Sequence, residues 1–204
     1  MTKNKYSAGA VKFSFWFLEF KTTVQYLCDG KTLDEIKQLN EENNIYNASS
    51  KARAKLIYNT VSARIREFDS NFTTLFCNSD LRTQKMICLV AILKHESLFF
   101  DFFHEVIREQ MILGTNELSD TDIRVFFKQK QVESEKVASW SQETVVRLSS
   151  TYKDYLTHAG LLEGYNGKKE AIRKIYPPIL DQPFVDWLQT HELGYMVNLL
   201  SGVR

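Results

Sequence analysis

Two stretches of the sequence, residues 32–68 and residues 119–175, carry the same punctuation. Each has a helix-start signal, a short apolar-periodic run and a polar break. A longer periodic run with basic residues along one side then follows. This constrains the fold more than any other feature, because it fixes where helices begin and end. It predicts a mainly α protein. The first stretch reads as a helix-turn-helix-like unit. The second reads as a winged-helix-like unit with a short β-hairpin. Only 3 Pro and 8 Gly occur in 204 residues, so little of the chain is linker. That length allows one larger domain or two small ones.

The start signals have a physical basis. Thr32-Leu33-Asp34-Glu35 fits a capping box, in which the Thr hydroxyl takes a first-turn N–H and the Glu reaches back. Leu33, Ile36 and Leu39 then recur at helical spacing to about Glu42. The segment 43–47 breaks the pattern with three Asn, a residue that tolerates left-handed backbone. Ser49 or Ser50 opens a long helix to about Phe68, with Ala54, Ile57, Tyr58, Val61, Ile65 and Phe68 on its inward stripe. A first helix is predicted over 13–28 and another over 80–94. A helix over 96–113 is apolar nearly all round, which places it at the centre of the fold.

Ser119 with Asp122 starts a helix predicted to end near Lys130, before a polar, irregular stretch over 131–139. Ser139 or Ser141 opens the next helix, to about Ala159. Short strands at 161–163 and 171–176 then flank Gly164 to Lys169, where Asn166-Gly167 is a hairpin-turn signal. A last helix starts near Phe184, and 193–200 forms a terminal packing segment. The division expected is residues 1–70, 71–118 and 119–204.

Charge becomes informative once the chain is divided. Residues 1–68 hold 11 Lys/Arg against 7 Asp/Glu, residues 69–118 hold 4 against 7, and residues 119–204 hold 11 against 11. The basic excess therefore lies in the first unit, and a local patch sets the field that a phosphate meets. Lys51, Lys55, Asn59 and Arg66 share one stripe of the long helix, and Arg53 and Arg64 share another flank. A helix start also attracts phosphate through its dipole and its free N–H groups. In the second unit Arg147, Lys153, Lys168, Lys169, Arg173 and Lys174 are the candidate contacts, the last four around the hairpin. These patterns point to double-stranded DNA held by its phosphate backbone, with Asn59 the one candidate for a base edge. The same patterns also describe an amphipathic hairpin with a solvated cationic face, and a surface hairpin carrying lysines.

Enzyme chemistry has no comparable signal. Gly30-Lys31-Thr32 resembles the end of a phosphate-binding loop, but Gln25 stands where the motif needs its first Gly. His95, His104, His158 and His191 are scattered, none at metal-ligand spacing from a Cys, so no catalytic residue, metal or cofactor is predicted. Cys28, Cys77 and Cys88 form an odd set without paired spacing. They read as small core residues in a reducing cytoplasm. The longest apolar stretch, over 86–93, falls well short of the ~20 residues that cross a bilayer, so no membrane partner is expected.

The chain also resembles a known family. Its phrases run in order from Tyr6-Ser7-Ala8-Gly9 and Phe15-Trp16-Phe17-Leu18-Glu19 through Leu33-Asp34-Glu35-Ile36 and Ser50-Lys51-Ala52-Arg53-Ala54. Gln84-Lys85, Ala91-Ile92-Leu93-Lys94 and Leu98-Phe99-Phe100-Asp101-Phe102 follow. Asp120-Thr121-Asp122-Ile123, Phe126-Phe127, Val137-Ala138-Ser139-Trp140-Ser141 and Ala159-Gly160-Leu161-Leu162 complete the set. Together they are similar to the BrxA family of BREX bacteriophage-exclusion systems. The resemblance implies a non-enzymatic, mostly helical, DNA-associated component of a phage-defence locus, working beside other BREX components. The rival expectation is a protein–protein interaction scaffold within that complex.

Overall fold

A computed structural model describes residues 6–69, 71–165, 167 and 172–203. The fold is mainly helical with a small two-stranded antiparallel sheet. Backbone contacts divide it into two compact units, Phe15–His95 and a second formed by Glu96–Arg204 with the segment ending at Ser14.

Among its described residues the Phe15–His95 unit holds five helices: α1 (Phe17–Cys28), α2 (Leu33–Asn43), α3 (Lys51–Ile65), α4 (Phe72–Asn78) and α5 (Leu81–His95). Helix α1 packs on each of the other four. The capping box at Thr32 and Glu35 forms as predicted, with the Thr32 N–H donating to Glu35 Oε2 at 2.7 Å. Ser50 caps α3, its Oγ accepting the Arg53 N–H. The turn between α2 and α3 uses asparagine as expected. Asn44 and Asn47 both take left-handed backbone, at φ 48° and 49°. Asn44 also bridges the Ala48 carbonyl and N–H with its side-chain amide. Helix α1 starts later than predicted, because Trp16 is left-handed at φ 50° and breaks the pattern before Phe17.

Residues 86–93 of α5 are all buried, so α5 is the central helix of this unit. The thiol expectation needs correction. Cys28 and Cys77 are exposed and form a disulfide, Sγ to Sγ 2.24 Å, between the end of α1 and α4. The pairing follows from α1 packing on α4 across 49 residues of sequence, which spacing alone does not reveal. Cys88 is buried and free, as expected of a core residue.

The second unit is built around α6 (Ser97–Phe102), which runs through a π-helical turn at Phe103–Ile107 into α7 (Arg108–Leu113). Only the first part of this run is central. Phe99, Phe102 and Phe103 are fully buried, whereas α7 has no buried residue. Strand β1 (Glu117–Leu118) precedes α8 (Asp120–Glu133), α9 (Glu135–Ala138) and α10 (Gln142–Ala159). The stretch expected to be irregular is thus mostly helical, with Ser134 capping α9. Phe99, Phe102, Phe126, Phe127, Tyr152 and Tyr155 form one aromatic cluster, with adjacent rings 5.0 to 6.5 Å apart. Strand β2 (Arg173–Lys174), then α11 (Gln182–Thr190) and α12 (Gly194–Ser201), complete the unit. Gly202 follows α12 at φ 66°, where an added Cβ would lie 2.6 Å from Met111 Cβ, so only glycine fits.

Candidate nucleic-acid interface

The start of α3 brings three of the predicted cations together. Lys51 and Lys55 are exposed one turn apart, and among the described residues no ion pair engages either. Arg53 is half-buried, with its guanidinium 4.9 Å from the centre of the Trp16 ring. Stacking of this kind orients a guanidinium while leaving its N–H edge available. Asn59 and Arg66 continue the exposed side of the helix, and Arg66 reaches back to Ser62 Oγ.

Arg64 does not belong to this set. It is fully buried, and its Nη1 donates to the Phe15 carbonyl at 3.0 Å. Its guanidinium lies 5.9 Å from the same Trp16 ring that holds Arg53. Arg53 and Arg64 do share a flank, as their eleven-residue separation requires. The Phe15-Trp16 segment covers the inner end of that flank and leaves the outer end open. Helical periodicity cannot distinguish those ends.

The second unit scatters its predicted contacts. Arg147 is exposed on α10. Lys153 is half-buried and paired with Asp120 at 3.0 Å, so its charge is compensated locally. Arg173 lies with its guanidinium 5.5 Å over the Tyr165 ring, and Lys174 is exposed. Lys168 and Lys169, at the expected hairpin tip, lie outside the described residues. The return segment pairs with more than the predicted partner. Arg173 and Lys174 form the two-stranded sheet with Leu118 and Glu117, while Leu162 meets Ile175 in a single bridge. The role of Glu117–Leu118 had no sequence signal beyond its place between Gly114 and the Ser119 cap.

Outside these surfaces, the densest charge cluster centres on Lys130, which is 4% exposed. Its Nζ lies 2.6 Å from Glu105, 2.9 Å from Glu133 and 3.9 Å from Asp101, and Asp101 accepts from the Tyr6 hydroxyl. Burial pulls the Lys130 ammonium down, but hydrogen bonds to Glu105 and Glu133 outweigh it and raise the group above the usual lysine range. Burial, then the Asp101 bond, pushes the Tyr6 hydroxyl up to about 12.

Comparison with known proteins fits this fold. The sequence matches the BrxA family over residues 4–192. It is 33% identical over 186 residues to the BREX protein BrxA of Bacillus cereus (strain H3081.97), with 91% of each chain covered. The chain belongs to the BrxA family. A solved structure of an uncharacterized protein from Magnetospirillum magneticum shares the fold at a TM-score of 0.78 and 15% identity. That match covers 98% of this chain and 100% of the other.

Several phrases that carried the BrxA resemblance prove to be structural. Tyr6 of the opening phrase bonds Asp101 of the phenylalanine-rich one. Trp16 orders Arg53 of the α3 phrase. Trp16 was missed as a site residue because its role depends on a left-handed backbone that no local signal announces. Among the described residues, no helix is long and apolar enough to cross a membrane.

Proposed function

We propose that this chain is a non-enzymatic, double-stranded-DNA-binding component of a BREX phage-defence system, acting in the cytoplasm beside other BREX components. Membership of the BrxA family, and the name of its Bacillus cereus relative, support the BREX assignment. The observation that carries the DNA reading is the start of α3. Lys51 and Lys55 stand exposed there at the positive end of a fifteen-residue helix, beside the stacked Arg53. Asn59 and Arg66 extend the same face, while Arg147, Arg173, Lys174 and the hairpin lysines Lys168 and Lys169 supply further phosphate contacts. Lys153 contributes once a phosphate displaces Asp120.

Fluorescence anisotropy with a duplex oligonucleotide at two salt concentrations tests this. Contact with phosphates gives a log–log salt slope of about −0.9 per neutralised phosphate. Binding that is absent at low salt, or unaltered in the Lys51→Ala/Arg53→Ala/Lys55→Ala variant, overturns it.

A second reading is a protein-interaction scaffold within the BREX complex. It is favoured by Val125 and Val132, 57% and 89% exposed and seven residues apart on one side of α8. Co-purification of BREX partners that survives nuclease and high salt, and is lost on Val125→Ser/Val132→Ser, supports that reading. Partners retained by the double variant count against it.

A further inference from the structure

The Cys28–Cys77 bond stands apart from every surface described above. Both cysteines are exposed, one at the last residue of α1 and one in the last turn of α4. An attacking thiolate therefore reaches the bond, whereas Cys88 is fully buried and takes no part in the exchange. Exposed disulfides are the labile ones, and in a reducing compartment they serve as transient or sensing bonds.

The element that this bond holds is weak by itself. Helix α4 has seven residues, far fewer than a helix needs to stand alone. Asn71 at its start makes no side-chain cap. Its order comes from three anchors. Phe72 and Phe76 are buried, with ring centres 6.5 and 5.7 Å from that of Phe20 in α1. Gln84 of α5 donates from Nε2 to the Phe76 carbonyl at 3.0 Å. The disulfide is the third. Without it the other two still keep α4 beside α1. The Thr73 carbonyl lies 3.4 Å from Cys28 Sγ, an acceptor in place for the thiol that reduction creates. Both redox states therefore fit this packing, and the two sulfurs stay close enough to rejoin.

We infer that Cys28 and Cys77 form a reversible thiol–disulfide switch that sets the order of α4, with a dithiol as its reductant. One thiolate of the dithiol attacks one sulfur of the bond. A mixed disulfide forms, and the other cysteine leaves as a thiolate that takes up a proton. The second sulfur of the dithiol, its proton lost, then attacks the first and releases the remaining cysteine, which is protonated in turn. Two electrons and two protons pass to the protein, and the dithiol becomes a cyclic disulfide. An oxidised dithiol runs the steps in reverse. The ring closed by the bond takes in α2 and α3, so the bond also restricts the unfolding of both. The inference does not rest on the proposed DNA contact, and its test uses no DNA.

The folded full chain is treated with dithiothreitol and then with oxidised dithiothreitol, and its free thiols are counted by maleimide labelling and mass. The oxidised chain takes no label on Cys28 and Cys77, and the reduced chain takes two. Cys88 stays unlabelled throughout, and circular dichroism does not change. Oxidised dithiothreitol returns the count to zero. Hydrogen exchange over 72–78 is about tenfold or more faster in the reduced chain, while α10 is unaffected. Cys28→Ser/Cys77→Ser exchanges at the reduced rate under both conditions. Labelling of all three thiols together, and only in denaturant, marks a structural staple and overturns the inference. So does a folded chain in which oxidised dithiothreitol never closes the bond, or equal exchange of α4 in the two states of the parent chain.

Discussion

The two units carry their cations in different ways. The Phe15–His95 unit holds 11 Lys/Arg against 9 Asp/Glu, and the rest of the chain holds 15 against 16. The contrast in field is larger than these counts. In the first unit Lys51 and Lys55 stand clear at a helix start. In the second, Lys130 and Lys153 are tied to carboxylates from neighbouring positions. A lysine whose charge is already compensated offers little to a phosphate. The difference teaches that placement, more than composition, decides which basic residues reach a partner.

The sharpest way to break the comparison is inside the first unit, where one arginine is structural and its neighbour is not. Arg64→Ala removes the guanidinium that donates to the Phe15 carbonyl and opens a void under Trp16. We expect a loss of about 3 kcal/mol in thermal or denaturant unfolding. Arg53→Ala, at a half-buried position, costs about 1 kcal/mol at most through its lost stacking. Equal losses would show that both arginines serve the core.

The next effect is on DNA. Lys51→Ala/Lys55→Ala lowers the salt slope of duplex binding by about 2 and affinity by about tenfold or more, with stability within ~0.5 kcal/mol of the parent. The matched pair on the other unit, Arg147→Ala/Lys174→Ala, has the smaller effect. If the second pair is the costlier one, the basic edge of α3 is not the principal contact.

Lys130 gives a smaller change in stability than Arg64. Lys130→Met keeps the buried stem and removes the ammonium. Glu105 and Glu133 are partly exposed and regain water, so the cost is about 1–2 kcal/mol, below that of a fully buried pair. Denaturant titration measures it, and a loss above that of Arg64→Ala would reverse the ranking of the two clusters.

Much of this was legible in the sequence, and the limits have physical causes. Capping residues act within one turn, so Thr32 and Ser119 marked two helix starts outright, and the pairs Ser49/Ser50 and Ser139/Ser141 marked two more, of which Ser50 and Ser141 are the caps. Asparagines that tolerate left-handed backbone placed the α2–α3 turn. What sequence did not show depends on contacts between distant segments. The Cys28–Cys77 bond, the burial of Arg64 under Trp16, the pairing of Glu117–Leu118 with Arg173–Lys174 and the approach of Asp101 and Glu105 to Lys130 each join residues 25 or more apart. Of the predicted contacts, Lys51 and Lys55 stand exposed together because helical spacing alone puts them on one side. Arg64 fails because spacing says which flank a residue occupies and not what covers it.

The smallest effect separates the units by pH. Burial pushes the Cys88 thiol up to about 12 in the folded unit, from about 8.5 in an unfolded chain. A raised folded value means that the neutral thiol is favoured by folding. Its contribution is complete below pH 8.5 and is lost as pH rises from there toward 12. Tyr46 in the same unit is pushed up to about 12 by burial, but its loss begins only near pH 10. In the other unit, Tyr6 likewise begins to lose its contribution near pH 10. Between pH 8 and 9.5 Cys88 alone of these three groups gives a falling slope, a loss of about 1 kcal/mol by pH 9. Cys88→Ala removes that slope while leaving the steeper fall above pH 10. Hydrogen exchange followed at pH 8 and pH 9.5, corrected for intrinsic rates, locates the early loss in α5 and not in α10. An unchanged slope in Cys88→Ala would mean that the thiol is not held neutral by its burial in this unit.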